Sequence, residues 1–168
     1  MKVLLVFLFV VLGFSLAEGR PENKCELFHT LKASNNLQEA RKRLPEDVLA
    51  KIVCHVKLGT GFDTSVVTQL SINSTTPEVW TLYGLFQLSN HLVCHDGTTP
   101  SPNICSISCN DLVDDDISDD IDCLFTITGR LIEGGFSDAN RNELMRMIRL
   151  IFQDECSNEN ASDYFADC

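Results

Sequence analysis

Four stretches of the 168-residue chain repeat apolar side chains at helical spacing, and one region between them alternates. Leu27, Phe28 and Leu31 share one face of a helix over 25–33. Val48, Leu49, Ile52, Val53 and Val56 do the same over 45–57, with Pro45 suited to the first helical position. From Ser65 the period changes. Thr68 to Ile72 alternates polar and apolar, Asn73-Ser-Thr-Thr-Pro77 is a turn, and Val79, Thr81 and Tyr83 alternate again, which predicts a small hairpin. A further helix opens with Ser118 as its N-cap, carries Ile121, Leu124, Phe125 and Leu131, and stops at Gly134-Gly135. Ser137 caps a last helix whose Leu144, Met145, Ile148, Ile151 and Phe152 face inward. No repeat or low-complexity linker divides the chain, so the pattern predicts one α+β domain with a helical lobe and a small hairpin lobe.

The N-terminus adds a compartment. Met1-Lys2 precedes fourteen uncharged residues, Val3 to Leu16, and then Ala17-Glu18-Gly19: a secretory signal peptide whose apolar run is too short to span a bilayer. Cleavage after Ala17 or after Gly19 is chemically acceptable. We assign 1–19 to the leader and 20–168 to the mature domain, secreted and monomeric. Eight cysteines follow (25, 54, 94, 105, 109, 123, 156 and 168), and an even number in a small secreted chain implies four disulfides. No Cys-x-x-Cys pair suggests zinc, and His91 and His95 lack an evident third ligand. Asn73-Ser-Thr and Asn160-Ala-Ser are N-glycosylation sequons, with Asn73 favoured by its exposed turn. A net charge of −11 argues against nucleic acid, whose binding rests on neutralising phosphates.

The strongest chemistry lies in 110–122, where seven aspartates (111, 114, 115, 116, 119, 120 and 122) meet no Lys or Arg. Like charges about 4 Å apart repel by roughly 1 kcal/mol even in water, and by more where water is excluded. A hard cation with oxygen ligands, Ca²⁺ above all, relieves this. The run is not an EF-hand: with Asp114 as first position, the sixth is Asp119 and the twelfth Phe125, where that loop needs Gly and Glu.

The segments YGLFQ (83–87), the turn 103–105 and DLVDDDISDDIDC (111–123) resemble the alpha-lactalbumins, the calcium-binding, non-hydrolytic branch of the c-type lysozyme superfamily. The likeness is close over about a quarter of the chain, and Leu124 to Cys168 shares little beyond its cysteines. The resemblance implies a calcium loop between the lobes, with the carboxylates of Asp114, Asp119 and Asp120 and the carbonyls of Asp111 and Asp116 as ligands. It also implies the pairs Cys25–Cys168, Cys54–Cys156, Cys94–Cys109 and Cys105–Cys123, and favours cleavage after Gly19.

Glycoside hydrolysis needs two carboxylic residues flanking the bond. The family's positions for them are held by Gly59 and Leu82, and Asp63 and Glu78 are displaced by several residues, so no muramidase activity is expected. The implied partner is beta-1,4-galactosyltransferase, which the family's regulatory members make accept glucose, so that lactose forms. Lys57, Leu58, Phe165 and Ala166 stand where the family docks through an aromatic, a histidine, Gln and Trp, which predicts weaker docking. The alternative is a diverged, non-catalytic lysozyme-like defence or binding protein. Arg141, Arg146 and Arg149 would give such a protein a cationic stripe for membranes in its calcium-free form.

Overall fold

Asn23 opens the first helix, α1 (Lys24–Leu37), by accepting from the backbone N–H groups of Cys25 and Glu26. In the computed structural model, which describes residues 20–72, 78–134 and 137–168, α1 packs on α2 (Glu46–Thr60). Pro45 stands one residue before α2 as its cap. The chain then forms a three-stranded antiparallel sheet, β1 (Val67–Ser71), β2 (Val79–Tyr83) and β3 (Leu88–Ser89), in that order. A short parallel bridge follows, β4 (Cys94–His95) with β5 (Ile107–Ser108). A 3-10 turn at Asp111–Val113 leads into α3 (Ser118–Gly134), α4 (Arg141–Ile151) and α5 (Ala161–Tyr164). This is the lysozyme-like α+β arrangement, with four disulfides.

One core serves all these elements. Leu27 and Leu31 of α1, Leu49, Ile52, Val53 and Val56 of α2, Leu124 and Ile127 of α3, and Met147 and Ile151 of α4 are fully buried. Each such side chain contributes about 1.5–3 kcal/mol by leaving water. Phe165, beyond α5, stacks on Phe28 at 3.8 Å, so the C-terminus is packed into the core. The termini are tied together by Cys25–Cys168 and by Lys24, which donates to the Tyr164 carbonyl at 2.8 Å and pairs with Asp167 at 2.6 Å. The other pairs are Cys54–Cys156, Cys94–Cys109 and Cys105–Cys123. Closing the 15-residue separation of Cys94 and Cys109 contributes about 3 kcal/mol on the chain-entropy model.

The structure corrects several local expectations. In α4, Met147 is fully buried and Met145 only half-buried, because Leu144, Met147 and Ile151 form the inward stripe. Ser137 does not cap α4: its N–H and hydroxyl bond the Gly134 carbonyl at the end of α3, and Asn140 precedes α4. Nor is α4 the last helix, since Asn160 caps α5 with its side-chain oxygen on the Asp163 N–H. In β2 the buried residues are Trp80 and Leu82, while Val79 is exposed. The sequon at Asn73 lies outside the described residues, as does 1–19. Asn160 uses its amide nitrogen to donate to Asp163 at 2.9 Å.

His55 of α2 is buried, with Nε2 3.0 Å from the Phe86 carbonyl. A carbonyl only accepts, so Nε2 carries the proton, and Nδ1 is buried without a partner. Burial holds the imidazole's pKa below its ordinary value, outweighing the Phe86 contact. The unfolded chain therefore binds a proton near pH 6.5 that the folded chain resists, and His55-linked stability, complete above that pH, falls as pH drops below it. In saturating calcium, thermal midpoints taken from pH 8 to pH 5 should decline more steeply for the native chain than for His55→Gln, which keeps the donor to Phe86; parallel profiles would contradict this.

Candidate metal centre

Two pieces of chain built from different rules meet at the aspartate run. The first is the YGLFQ segment. Its Gly84 N–H donates to the Val66 carbonyl at 2.9 Å, and Gln87 folds back to donate its amide to the carbonyls of Gly84 and Val66. Gly84 has φ +71°, and a Cβ placed there would lie 1.7 Å from the Leu112 carbonyl oxygen and 3.2 Å from Asp120 Oδ1. The second is the run itself, held at both ends by Cys94–Cys109 and Cys105–Cys123 and anchored by fully buried Leu112.

Within the run the carboxylates have different neighbours. Asp111 accepts from the Ser108 N–H at 3.1 Å, and Asp115 from the Thr64 hydroxyl at 2.9 Å, which ties the run to the segment after α2. Asp114 accepts from the Asp116 N–H at 2.8 Å. Asp116 accepts from the N–H and hydroxyl of Ser118, donors that hold its carboxyl below the ordinary carboxylate range. Ser118 is thus the first residue of α3 and bonds backwards, not forwards as an N-cap. Asp119 and Asp120 occupy the first turn of α3, where the helix dipole favours negative charge.

That dipole does not suffice for Asp120. Its side chain is 1% exposed and Oδ2 is buried with no hydrogen-bond partner. Burial first, and the neighbouring Asp119 charge second, push its pKa up to about 8. Burial also raises Asp119, with the Asp114 charge adding to the effect. A buried carboxylate without a partner is among the most costly groups a fold can carry. An all-oxygen donor set with an orphaned buried oxygen suits a hard divalent cation.

Among the described residues, Asp114, Asp119 and Asp120 do not bring three oxygens within 4.8 Å of one another. The group whose donor atoms do lie that close is Cys25, Asp167 and Cys168, one oxygen and two sulfurs, and those sulfurs are bonded to each other and are no ligands. The Asp114 carboxylate instead serves its own turn through Asp116.

The two positions that the resemblance implies for the acid pair carry no acid in this sequence. Gly59 lies in the last turn of α2, and Leu82 is buried in β2. Asp63 accepts from the N–H and hydroxyl of Ser65, which hold its pKa down, the opposite of what a protonated general acid requires. Glu78 accepts from Trp80 Nε1 at 3.1 Å and lies 3.7 Å from both His91 and Arg146. Trp80 is fully buried, stacked on His91 at 5.5 Å and covered by Arg146 at 5.2 Å, so it packs rather than presents a sugar platform. This network fastens α4 to the hairpin and was not evident from the sequence, where Arg146 lies far from Glu78, Trp80 and His91.

The pattern of the C-type lysozyme/alpha-lactalbumin family matches residues 20–135. Lysozyme C-2 of Sus scrofa is 30% identical over 169 residues, spanning 100% of this chain and 99% of the pig protein. Alpha-lactalbumin of Bubalus bubalis is 35% identical over 125 residues, 74% of this chain and 78% of that one. The crystal structure of a calcium-binding lysozyme from equine milk superposes with a TM-score of 0.58 at 27% identity, covering 87% of this chain and 96% of the other. Similarity therefore extends to both branches. With its fold, its four disulfides and a matching pattern over most of its length, the chain belongs to the C-type lysozyme/alpha-lactalbumin family.

Proposed function

We propose that this protein is a secreted, calcium-stabilised, non-hydrolytic regulator that binds beta-1,4-galactosyltransferase and turns its acceptor choice towards glucose. The observation that carries the reading is the pairing of Gly59 and Leu82 at the acid positions with an intact aspartate run around buried Asp120. The carboxylates of Asp114, Asp119 and Asp120 and the carbonyls of Asp111 and Asp116 would hold Ca²⁺, whose charge offsets their mutual repulsion. Secretion is supported by the uncharged run 3–16 of the leader pattern and by four disulfides, which suit an oxidising compartment. No helix among the described residues is long and apolar enough to cross a membrane.

Of the four positions where the family docks, Lys57, exposed Leu58 and exposed Ala166 are on the surface, but Phe165 is buried against Phe28. Phe165 is therefore unavailable to a partner, and replacing it with Gln would bury an amide in the core. Purified protein with galactosyltransferase, UDP-galactose and Mn²⁺ should lower the apparent KM for glucose, though less than a standard alpha-lactalbumin does. The triple variant Lys57→Phe, Leu58→His, Ala166→Trp should lower it further. Peptidoglycan suspensions should clear no faster than the blank. Unchanged glucose use by both proteins at saturation would refute the regulatory role.

The second reading, a non-catalytic binding or defence protein, is favoured by the divergence after residue 135, beyond which the family pattern does not match. Its cationic stripe is reduced, however, because Arg146 is engaged with Glu78 and Trp80. Failure of the glucose assay together with liposome binding by the calcium-free protein would select it.

A further inference from the structure

Ser157 is the one serine of the chain with a glutamate two residues on, Glu159, and Asp154 and Glu155 precede it in a segment, 150–168, that holds no Lys, Arg or His. It follows the 3-10 turn Asp154–Cys156, and its N–H donates to the Asp154 carbonyl at 3.1 Å. Asp154, Glu155, Ser157 and Asn158 are exposed, and only Cys156 among them is buried. The Ser157 hydroxyl enters no hydrogen bond among the described residues. Two other acid-flanked serines differ: Ser118 donates its hydroxyl to Asp116, and Ser162 donates its own to Asn160. The disulfide Cys54–Cys156 holds the turn against α2, with Cα atoms 5.8 Å apart. Lys51 lies three residues before Cys54 and is its neighbour on the helix surface. Lys51 and Ser157 accordingly line one groove of about 430 Å³ with Val48, Leu131 and Phe152, and Lys51 is the one charged residue of the lining. Among the described residues its ammonium pairs with no carboxylate.

We propose that Ser157 is a phosphorylation site and that its phosphate pairs with the Lys51 ammonium across this groove. A free, exposed hydroxyl flanked by carboxylates on both sides suits a serine kinase whose substrate groove is basic, because complementary charge selects the segment and sets its register. The Ser157 oxygen attacks the γ-phosphorus of ATP: an O–P bond forms, the bond to ADP breaks, and the hydroxyl proton passes to the kinase's base. The product carries up to about two negative charges and three strong acceptor oxygens. Asp154, Glu155 and Glu159 oppose those charges, so the phosphate settles where a cation offsets them. Lys51 supplies one, with three donors on a flexible four-carbon stem and no carboxylate to give up. The pair would fasten the 3-10 turn to α2 beside the disulfide, as a second tie that the cell can add. The inference shares only the secretory route with the proposed function and uses none of the proposed calcium ligands.

The test is mass spectrometry of two preparations: the full chain secreted by cultured mammalian epithelial cells, and the purified full chain incubated with ATP, Mn²⁺ and an acid-directed serine kinase of the secretory pathway. One phosphoryl group is expected, in the peptide that holds Ser157. Ser157→Ala should remove it, and Glu159→Gln should lower its occupancy severalfold. Phosphorus NMR then reads the pairing. On the calcium-loaded native chain the phosphate should release its second proton at lower pH than on Lys51→Gln, because a neighbouring cation favours the dianion. Lys51→Arg should behave as the native chain does, and in urea all three should titrate together. Near-UV circular dichroism confirms that each variant keeps its fold. No phosphate on Ser157 in either preparation, or phosphate on other residues in its place, would overturn the site. Identical titrations of the folded native chain and Lys51→Gln would overturn the pairing.

Discussion

Removing calcium from the protein at pH 7 is expected to lower its thermal midpoint by about 10 °C, and Asp120→Asn is expected to abolish that response. A cation that binds only the folded chain stabilises it by about 4 kcal/mol at a thousandfold excess over Kd, and a domain of this size shifts by about 2–4 °C per kcal/mol. Asp120 is chosen because its Oδ2 is, among the described residues, the carboxylate oxygen buried without a partner. The same residue gives the effect a pH signature. Without calcium the folded chain holds the Asp120 proton up to about pH 8, whereas the unfolded chain releases it near the ordinary 3.8. Between those values the folded state binds more protons, so stability falls as pH rises, by on the order of 1.4 kcal/mol per pH unit. Chelated native protein should therefore lose stability from pH 6 to pH 9 relative to chelated Asp120→Asn, which has no proton to lose. Midpoints by circular dichroism at several pH values, with and without chelator, measure both effects. Indifference of the native midpoint to chelator would remove the metal site, and parallel pH profiles would remove the account of Asp120.

How much of this was legible beforehand depends on whether a feature is local. The apolar stripes of α1 and α2 announce themselves because 3.6-residue periodicity is written into neighbouring positions, and the aspartate run stands out by density alone. In the α4 stripe Leu144 and Ile151 are buried as expected and only Met145 gives way to Met147, because the two are chemically the same and only packing against α2 and α3 chooses between them. Ser137 was misassigned because a serine between two helices suits the end of one as well as the start of the next; the Gly134 carbonyl decided it. The carboxylates are alike in sequence, yet Asp116 is paired with Ser118 while Asp120 is orphaned, a distinction that tertiary burial alone creates. Phe165 was counted as a lost surface contact, and its stack on Phe28 makes it core.

The second large effect is expected from a single methyl group. Gly84→Ala should lower stability by about 4 kcal/mol and weaken calcium binding more than tenfold. Two independent costs combine. A side chain at φ +71° is strained by roughly 1–2 kcal/mol, and overpacking in a tight site adds about 1–3 kcal/mol. The overlap is with backbone, since the new Cβ would meet the Leu112 carbonyl oxygen at 1.7 Å, and a carbonyl cannot swing aside as a side-chain tip can. Leu112 cannot retreat either: its side chain is fully buried, and Cys94–Cys109 and Cys105–Cys123 fix the chain on both sides. The strain must then pass into the 3-10 turn that carries the Asp111 carbonyl and into Asp120, 3.2 Å away, which are proposed ligands. Two other glycines separate the terms. Gly97 also has positive φ, at +88°, but no atom within 4 Å of a new Cβ, so Gly97→Ala should show the backbone cost alone and leave calcium binding unchanged. Gly59, inside α2 with Gln87 Cγ at 3.7 Å, should accept Ala with no loss and even a gain of up to about 1 kcal/mol in helix propensity. If Gly84→Ala melts no lower than Gly97→Ala, the turn is not what positions the aspartate run, and the YGLFQ segment has some other role.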